Sequence, residues 1–258
     1  MIAIRRPEEI ERIAESARIV AGALSGVAER IRAGVTTQEL EEGIEDYIRS
    51  QGARPSFKGY RGFPASACIS INDVVVHGIP SERRLREGDI VSVDVGAYKD
   101  GYHGDGAWTF PVGEIAAAAA RLMEVTHGAL ERGIARALPG ARLGEVSHAV
   151  QAYVESHGYS IVRALVGHGI GEQLHEDPQV PNFGSPRQGP VLRAGMVMAI
   201  EPMVNAGGFQ VYTEADEWTV VSRDHSLSAH FEHTVAITDE GPRILTQPSP
   251  ALALRGTA

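Results

Sequence analysis

The chain repeats itself. Displaced by 106 positions, Gly34, Glu39, Tyr47, Ser50 and Gly52 fall on Gly140, Glu145, Tyr153, Ser156 and Gly158. Leu40, Ile44 and Ile48 fall on Val146, Val150 and Val154, so the apolar face of a helix carries over together with its punctuation. At a displacement of 107, Leu85-Arg86-x-Gly88 falls on Leu192-Arg193-x-Gly195, and Asp94 falls on Glu201. A period this long, present in two copies, excludes a solenoid. It describes a duplicated α+β half, helices followed by strands, with the two halves related by a pseudo-twofold. Chance similarity between amphipathic helices would account for the helical matches; it would not set a strand carboxylate on a strand carboxylate. The expected organisation is one domain over 1–258, with an N-terminal helix in 1–33 and halves at about 34–110 and 140–238. A chain of 258 residues buries roughly three quarters of its unfolded surface.

Local signals fill in each half. Pro7-Glu-Glu-Ile opens a helix that Gly34 stops, because proline and acidic residues suit the positive end of the dipole. Thr36 with Glu39 reads as a capping box for a second helix ending at Gly52. A loop rich in Gly and aromatics follows, then strand-like runs at 67–72, 89–96 and 102–110. Ile115 to about Leu138 and Gly144 to His157 read as two more helices. Short strands return at 161–166, 195–204, 217–222 and 229–238.

Composition narrows the setting. The 24 basic residues against 33 acidic ones give a net charge of −9, which argues against a nucleic-acid surface. Cys68, the single cysteine, has no intramolecular partner for a disulfide, as expected for a reducing cytoplasm. No apolar run approaches the roughly 18 residues of a membrane span. The opening Met-Ile-Ala-Ile-Arg-Arg-Pro lacks the apolar core of a signal peptide, so a cytoplasmic, soluble protein is expected.

Four acids stand where strands should be apolar. Ile90-Val-Ser-Val-Asp94-Val is a β-branched strand with a carboxylate at its centre, and burying that charge is costly unless it is paired or binds a metal. Asp100-Gly101 signals a type I′ hairpin, which sets Asp94 opposite Ala107 and places Asp105 two residues along on the same face. Diagonal neighbours of this kind lie roughly 7–8 Å apart at the backbone, within reach of one ion. Met196-Val-Met-Ala-Ile-Glu201-Pro and His230-Phe-Glu232-His-Thr repeat the anomaly in the second half. Each acid alone could sit harmlessly on a surface strand. Two per half, joined by a pseudo-twofold, read together as ligands.

Histidines complete the set. Gly167-His168-Gly169-Ile170-Gly171 bends the backbone around an exposed imidazole, and it lacks the Lys-Ser/Thr of a phosphate loop. His175 and His77 lie in loops nearby. Oxygen-rich sets of this composition suit Mn²⁺, Fe²⁺ or Co²⁺ and tolerate Zn²⁺. Paired metals of this kind carry out hydrolysis.

In its motifs Cys68-Ile-Ser-Ile-Asn-Asp-Val-Val-Val-His77-Gly-Ile-Pro, Asp89-Ile-Val-Ser-Val-Asp94, His103-Gly-Asp105, Gly167-His168-Gly, His175-Glu-Asp-Pro, Ile200-Glu201-Pro-Met and Phe231-Glu232-His-Thr, the chain resembles the type I methionine aminopeptidases. The motifs run in order over almost the whole chain. The resemblance implies the pita-bread fold, two α+β halves sharing a curved antiparallel sheet flanked by helices. It implies Asp94, Asp105, His168, Glu201 and Glu232 as ligands of two divalent metals, with Asp105 and Glu232 bridging and Glu201 as general base. His77 and His175 would contact substrate and stabilise the developing oxyanion or pass protons to the leaving amine. Phe57, Tyr60, Phe63, Cys68 and Trp218 would wall a pocket for the methionine side chain. The implied partners are nascent polypeptide N-termini with a small second residue, a transient ribosome contact, no membrane and no second copy of the chain. The 31 residues between Glu201 and Glu232 leave no room for the helical insertion of type II members, and no zinc finger or leader is expected before Pro7. Proline-specific aminopeptidases and dipeptidases share fold and ligands but carry a large N-terminal domain. A non-catalytic binding module of this fold would lack some of the five ligands.

Overall fold

The computed structural model describes residues 1–247; the remainder of the expected domain range, 248–258, lies outside the described residues. Helix α1 (Pro7–Ala28) leads into α2 (Thr37–Ser50). Strands β1 (Arg54–Pro55), β2 (Ala67–Ile71), β3 (Val74–Val76), β4 (Ile90–Lys99) and β5 (Tyr102–Pro111) complete the first half. Helices α3 (Ala117–Ile134) and α4 (Leu143–Ser156) open the second. It continues through β6 (Ser160–Ile161), β7 (Gly167–Gly169), β8 (Glu176–Val180), β9 (Val197–Ile200) and β10 (Met203–Asn205). It closes with β11 (Val211–Thr213), β12 (Val220–Ser222), β13 (Ser228–His230), β14 (His233–Thr238) and β15 (Gly241–Ile244).

The repeat is visible in the hydrogen bonding. Gly34 N donates to Leu85 O at 2.8 Å and Leu85 N returns to Val35 O at 2.8 Å; Gly140 N to Leu192 O at 2.9 Å and Leu192 N to Ala141 O at 2.8 Å copy them. Glu39 and Glu145 each bond back to the residue before their helix, at Thr36 N and Arg142 N. Tyr47 presses its hydroxyl against Gly22 and Tyr153 presses against Gly128, where added Cβ atoms would lie 2.0 and 2.9 Å from the phenol oxygens. The largest buried cluster runs through both halves, joining Leu40, Ile44 and Ile48 of α2 to Val146, Val150 and Val154 of α4.

Among the described residues every strand pair is antiparallel. The expected hairpin forms: Asp100 and Gly101 take φ of 49° and 93°, and β4 and β5 pair with Asp94 opposite Ala107 and Gly96 opposite Asp105. Two expected long strands are each broken in one place. The run at 195–204 divides into β9 and β10 at Glu201-Pro202, and the run at 229–238 divides into β13 and β14 at Phe231-Glu232. The breaks coincide, since β9 pairs with β14 in a five-stranded sheet while β10 pairs with β13 in a three-stranded one. Pro202 has no N–H for a ladder, so two adjacent strands change sheet together and free both glutamates from the pleat. The expected strand at 161–166 forms only over β6, and the helix expected to reach Gly34 ends at Ala28 with a turn between.

Two threonines tie the halves where the ladder is interrupted. Thr234 Oγ1 donates to Asp105 O at 2.7 Å and accepts from Asp105 N at 3.0 Å. Thr109 Oγ1 donates to His230 O at 2.8 Å and accepts from His230 N at 2.9 Å. Glu232 N completes the seam by donating to Ala107 O at 2.9 Å.

Candidate metal centre

The four carboxylates converge on that seam. Asp94 comes from β4 and Asp105 from β5, while Glu201 and Glu232 come from the two strand breaks. His168, central in β7, faces them: its Nε2 lies 3.5 Å from Glu201 Oε1 and 3.9 Å from Asp105 Oδ2. Asp105, His168 and Glu232 bring one ligand atom each within 4.8 Å of one another. The carboxyls of Asp94 and Asp105 lie within hydrogen-bonding reach of each other.

Such an arrangement is electrostatically incomplete. Burial raises Asp94 to about 7. Burial and then the neighbouring carboxylates lift Asp105, Glu201 and Glu232 well above the usual carboxylate range. Asp94 Oδ1 and Glu232 Oε1 are buried without any hydrogen-bond partner. Four acids cannot ionise together in a low-dielectric site, so at neutral pH they need cations. The donor set fits divalent metal: oxygen-rich, with one imidazole whose pKa burial lowers to about 4, leaving it neutral and free to ligate.

A cavity of about 150 Å³ opens above these groups. Pockets for drug-sized ligands start near 300 Å³, so this one takes a single side chain. All twelve residues singled out from the sequence line it: the five ligands, His77, His175, Phe57, Tyr60, Phe63, Cys68 and Trp218. Cys68 pairs opposite Asp94, and burial followed by the carboxylate charges raises its thiol well above the ordinary value, so it serves as apolar wall. Phe63 meets Trp218 edge-on at 5.1 Å between ring centroids. Trp218 is held by the turn before it, where Asp216 Oδ1 accepts from Trp218 N at 2.9 Å. His77 takes φ of 59° and stands edge-on to Trp218 at 6.3 Å. His175 approaches His168 to 4.1 Å between centroids, and its Nδ1 lies 2.9 Å from the Tyr60 hydroxyl. Burial lowers His77, and burial followed by the neighbouring His168 and Arg61 lowers His175 to about 3, so both are neutral in the cavity at pH 7.

Sequence reasoning passed over three neighbours. Arg61 and Leu174 line the same cavity; they adjoin Tyr60 and His175, which was the available signal. His230, 1% exposed, places Nε2 3.8 Å from Glu201 Oε2, and only the fold brings it there.

Fold and site together define a metallopeptidase. The profile of metallopeptidase family M24 matches residues 11–239, and the chain belongs to that family. Methionine aminopeptidase 1 of Bacillus subtilis is 52% identical over 247 residues, covering 96% of this chain and 100% of that one. A methionine aminopeptidase structure from Thermotoga maritima matches with a TM-score of 0.94 at 47% identity, over 96% of this chain and 100% of that one. The prolidase from Pyrococcus horikoshii OT3 matches with a TM-score of 0.79 at 25% identity, and only 65% of it is covered. Within M24, the chain's place is therefore with the methionine aminopeptidases. Among the described residues, no helix is long and apolar enough to cross a membrane.

Proposed function

We propose that this chain hydrolyses the peptide bond after an N-terminal methionine, acting on nascent polypeptides in the cytoplasm as a monomer in transient contact with the ribosome. The observation that carries the reading is the set of Asp94, Asp105, Glu201, Glu232 and His168, with Asp105, His168 and Glu232 buried, at the base of a cavity sized for one side chain. These five residues would hold divalent metal, which would supply an activated water and Lewis acidity for amide hydrolysis. The chain's own residues do the rest. Phe57, Tyr60, Phe63, Cys68 and Trp218 take the unbranched thioether and exclude solvent. Glu201 accepts the proton of the attacking water. His175 and His77, both neutral, offer N–H groups to the oxygen on which negative charge develops, and the proton that Glu201 takes from the water goes on to the leaving amine. On this reading the second residue of the substrate must be small, as the resemblance to the methionine aminopeptidases implies.

The test compares hydrolysis of Met-Gly-Met, Met-Arg-Met and a Gly-Pro dipeptide, each with and without EDTA. Cleavage of Met-Gly-Met alone, abolished by EDTA and restored by Mn²⁺, Fe²⁺ or Co²⁺, is the expected outcome. Preference for Gly-Pro would move the chain to the proline-specific branch, and EDTA-resistant cleavage would remove the metal from the reaction.

A further inference from the structure

Tyr60 does more than wall the pocket. It sits in a tight turn, Tyr60–Gly62, flanked by Gly59 at φ 85° and containing Arg61 at 50° and Gly62 at 92°. The turn bonds to itself, with Tyr60 N donating to Phe57 O, Phe63 N to Tyr60 O and Gly59 N to Phe63 O, all within 2.9 Å. The phenol therefore points from a fixed base. Its ring stacks on His175 at 5.2 Å and 19°, and its hydroxyl meets His175 Nδ1 at 2.9 Å. The backbone of His175 is fixed independently, because its neighbour Glu176 is gripped by Arg5 at 2.6 Å.

We propose that Tyr60 is a positioning residue whose hydroxyl donates to His175 Nδ1 and thereby holds the imidazole as its Nε2–H tautomer, an N–H donor for the substrate oxygen. The direction of the bond follows from donor and acceptor inventories. A neutral imidazole carries one N–H, and the hydrogen bond at one nitrogen decides which nitrogen bears the proton. Imidazole nitrogen is a better acceptor than a phenol oxygen. With the opposite direction, the Tyr60 hydroxyl would have no protein acceptor for its own proton among the described residues. With Nδ1 occupied, Nε2 is the ring nitrogen left for a ligand in the cavity that His175 lines. The consequence for turnover rests on the activity proposed above; the tautomer does not.

Two measurements separate them. In zinc-loaded protein labelled with ¹⁵N-histidine, long-range ¹H–¹⁵N correlation reads the tautomer directly, with the His175 signals identified by their loss in His175→Ala. The wild type should show Nε2–H, and Tyr60→Phe should show a mixture of both tautomers. For Met-Gly-Met, Tyr60→Phe keeps the ring and should lower kcat about tenfold with KM within about twofold, as expected for losing part of an oxyanion donor. In a His175→Ala background the same change should add nothing, since Tyr60 acts through His175. An Nδ1–H signal in the wild type, an unchanged tautomer in Tyr60→Phe, a rise in KM alone, or additive losses would each overturn the proposal. Failure of the wild type to cleave Met-Gly-Met would overturn the activity and leave the tautomer result standing.

Discussion

A single oxygen atom illustrates how the centre works. Glu232 Oε1 is buried with no partner, and Glu232 as a whole is 3% exposed. An unpaired carboxylate oxygen there is costly unless a cation meets it. Asp105→Asn and Glu232→Gln should therefore each reduce bound metal, measured by elemental analysis after dialysis, and lower kcat/KM by at least about 100-fold. Full metal occupancy in either variant would mean that the ion sits elsewhere. His77→Ala should behave differently, keeping its metal while losing about 10²–10³-fold in kcat/KM, because the role proposed for His77 is toward substrate and its ring packs against Trp218 on the cavity wall. The acids were legible one by one, since a carboxylate within a β-branched strand is an anomaly that chemistry must resolve. His230 was not, because nothing in a lone histidine two residues before Glu232 tells that the strand will bend it toward Glu201.

At the scale of elements, the helices and the Asp100-Gly101 hairpin follow from short-range rules, which is why their positions could be read. The strand breaks at Glu201-Pro202 and Phe231-Glu232 follow from a tertiary demand: both strands must leave one sheet for another at the same level. Continuous apolar runs look the same whether or not they bend, so the sequence predicts unbroken strands there. Thr109 and Thr234, which stand in for missing ladder bonds, look like ordinary strand threonines. Packing between elements also sorts the glycines. Gly104 of β5 lies against α1, where a Cβ would come within 2.5 Å of Ala17 N, whereas a Cβ on Gly26 within α1 meets nothing within 4 Å. Gly104→Ala should destabilise by about 1–3 kcal/mol through overpacking, and Gly26→Ala should stabilise by about 0.5–1 kcal/mol. Urea midpoints decide the matter; equal shifts would show that α1 is not seated on β5 as described.

The molecule as a whole stores an electrostatic debt at its centre. Asp94 holds its proton up to about 7 in the fold, against about 4 in an unfolded chain, and Asp105, Glu201 and Glu232 shift in the same direction. The metal-free fold thus binds more protons than the unfolded chain, so this contribution is complete below about pH 4 and lost as pH rises through about 7. Chelated protein should melt at progressively lower temperature from about pH 5 to 8, while metal-loaded protein holds its Tm. A flat profile in the chelated protein would show that these carboxyls ionise freely. The seam that gathers them has a second consequence, in time. Its bonds join Thr109 to His230 and Asp105 to Thr234, residues 121 and 129 positions apart. Closing such loops must precede any reward from the contacts, so long-range pairings of this kind form after the local helices and the β4–β5 hairpin. In refolding, helical circular dichroism should recover before metal affinity does. Each new copy of the chain therefore passes through a period in which it is already shaped but chemically inert, and its reactivity switches on only when its final strands arrive.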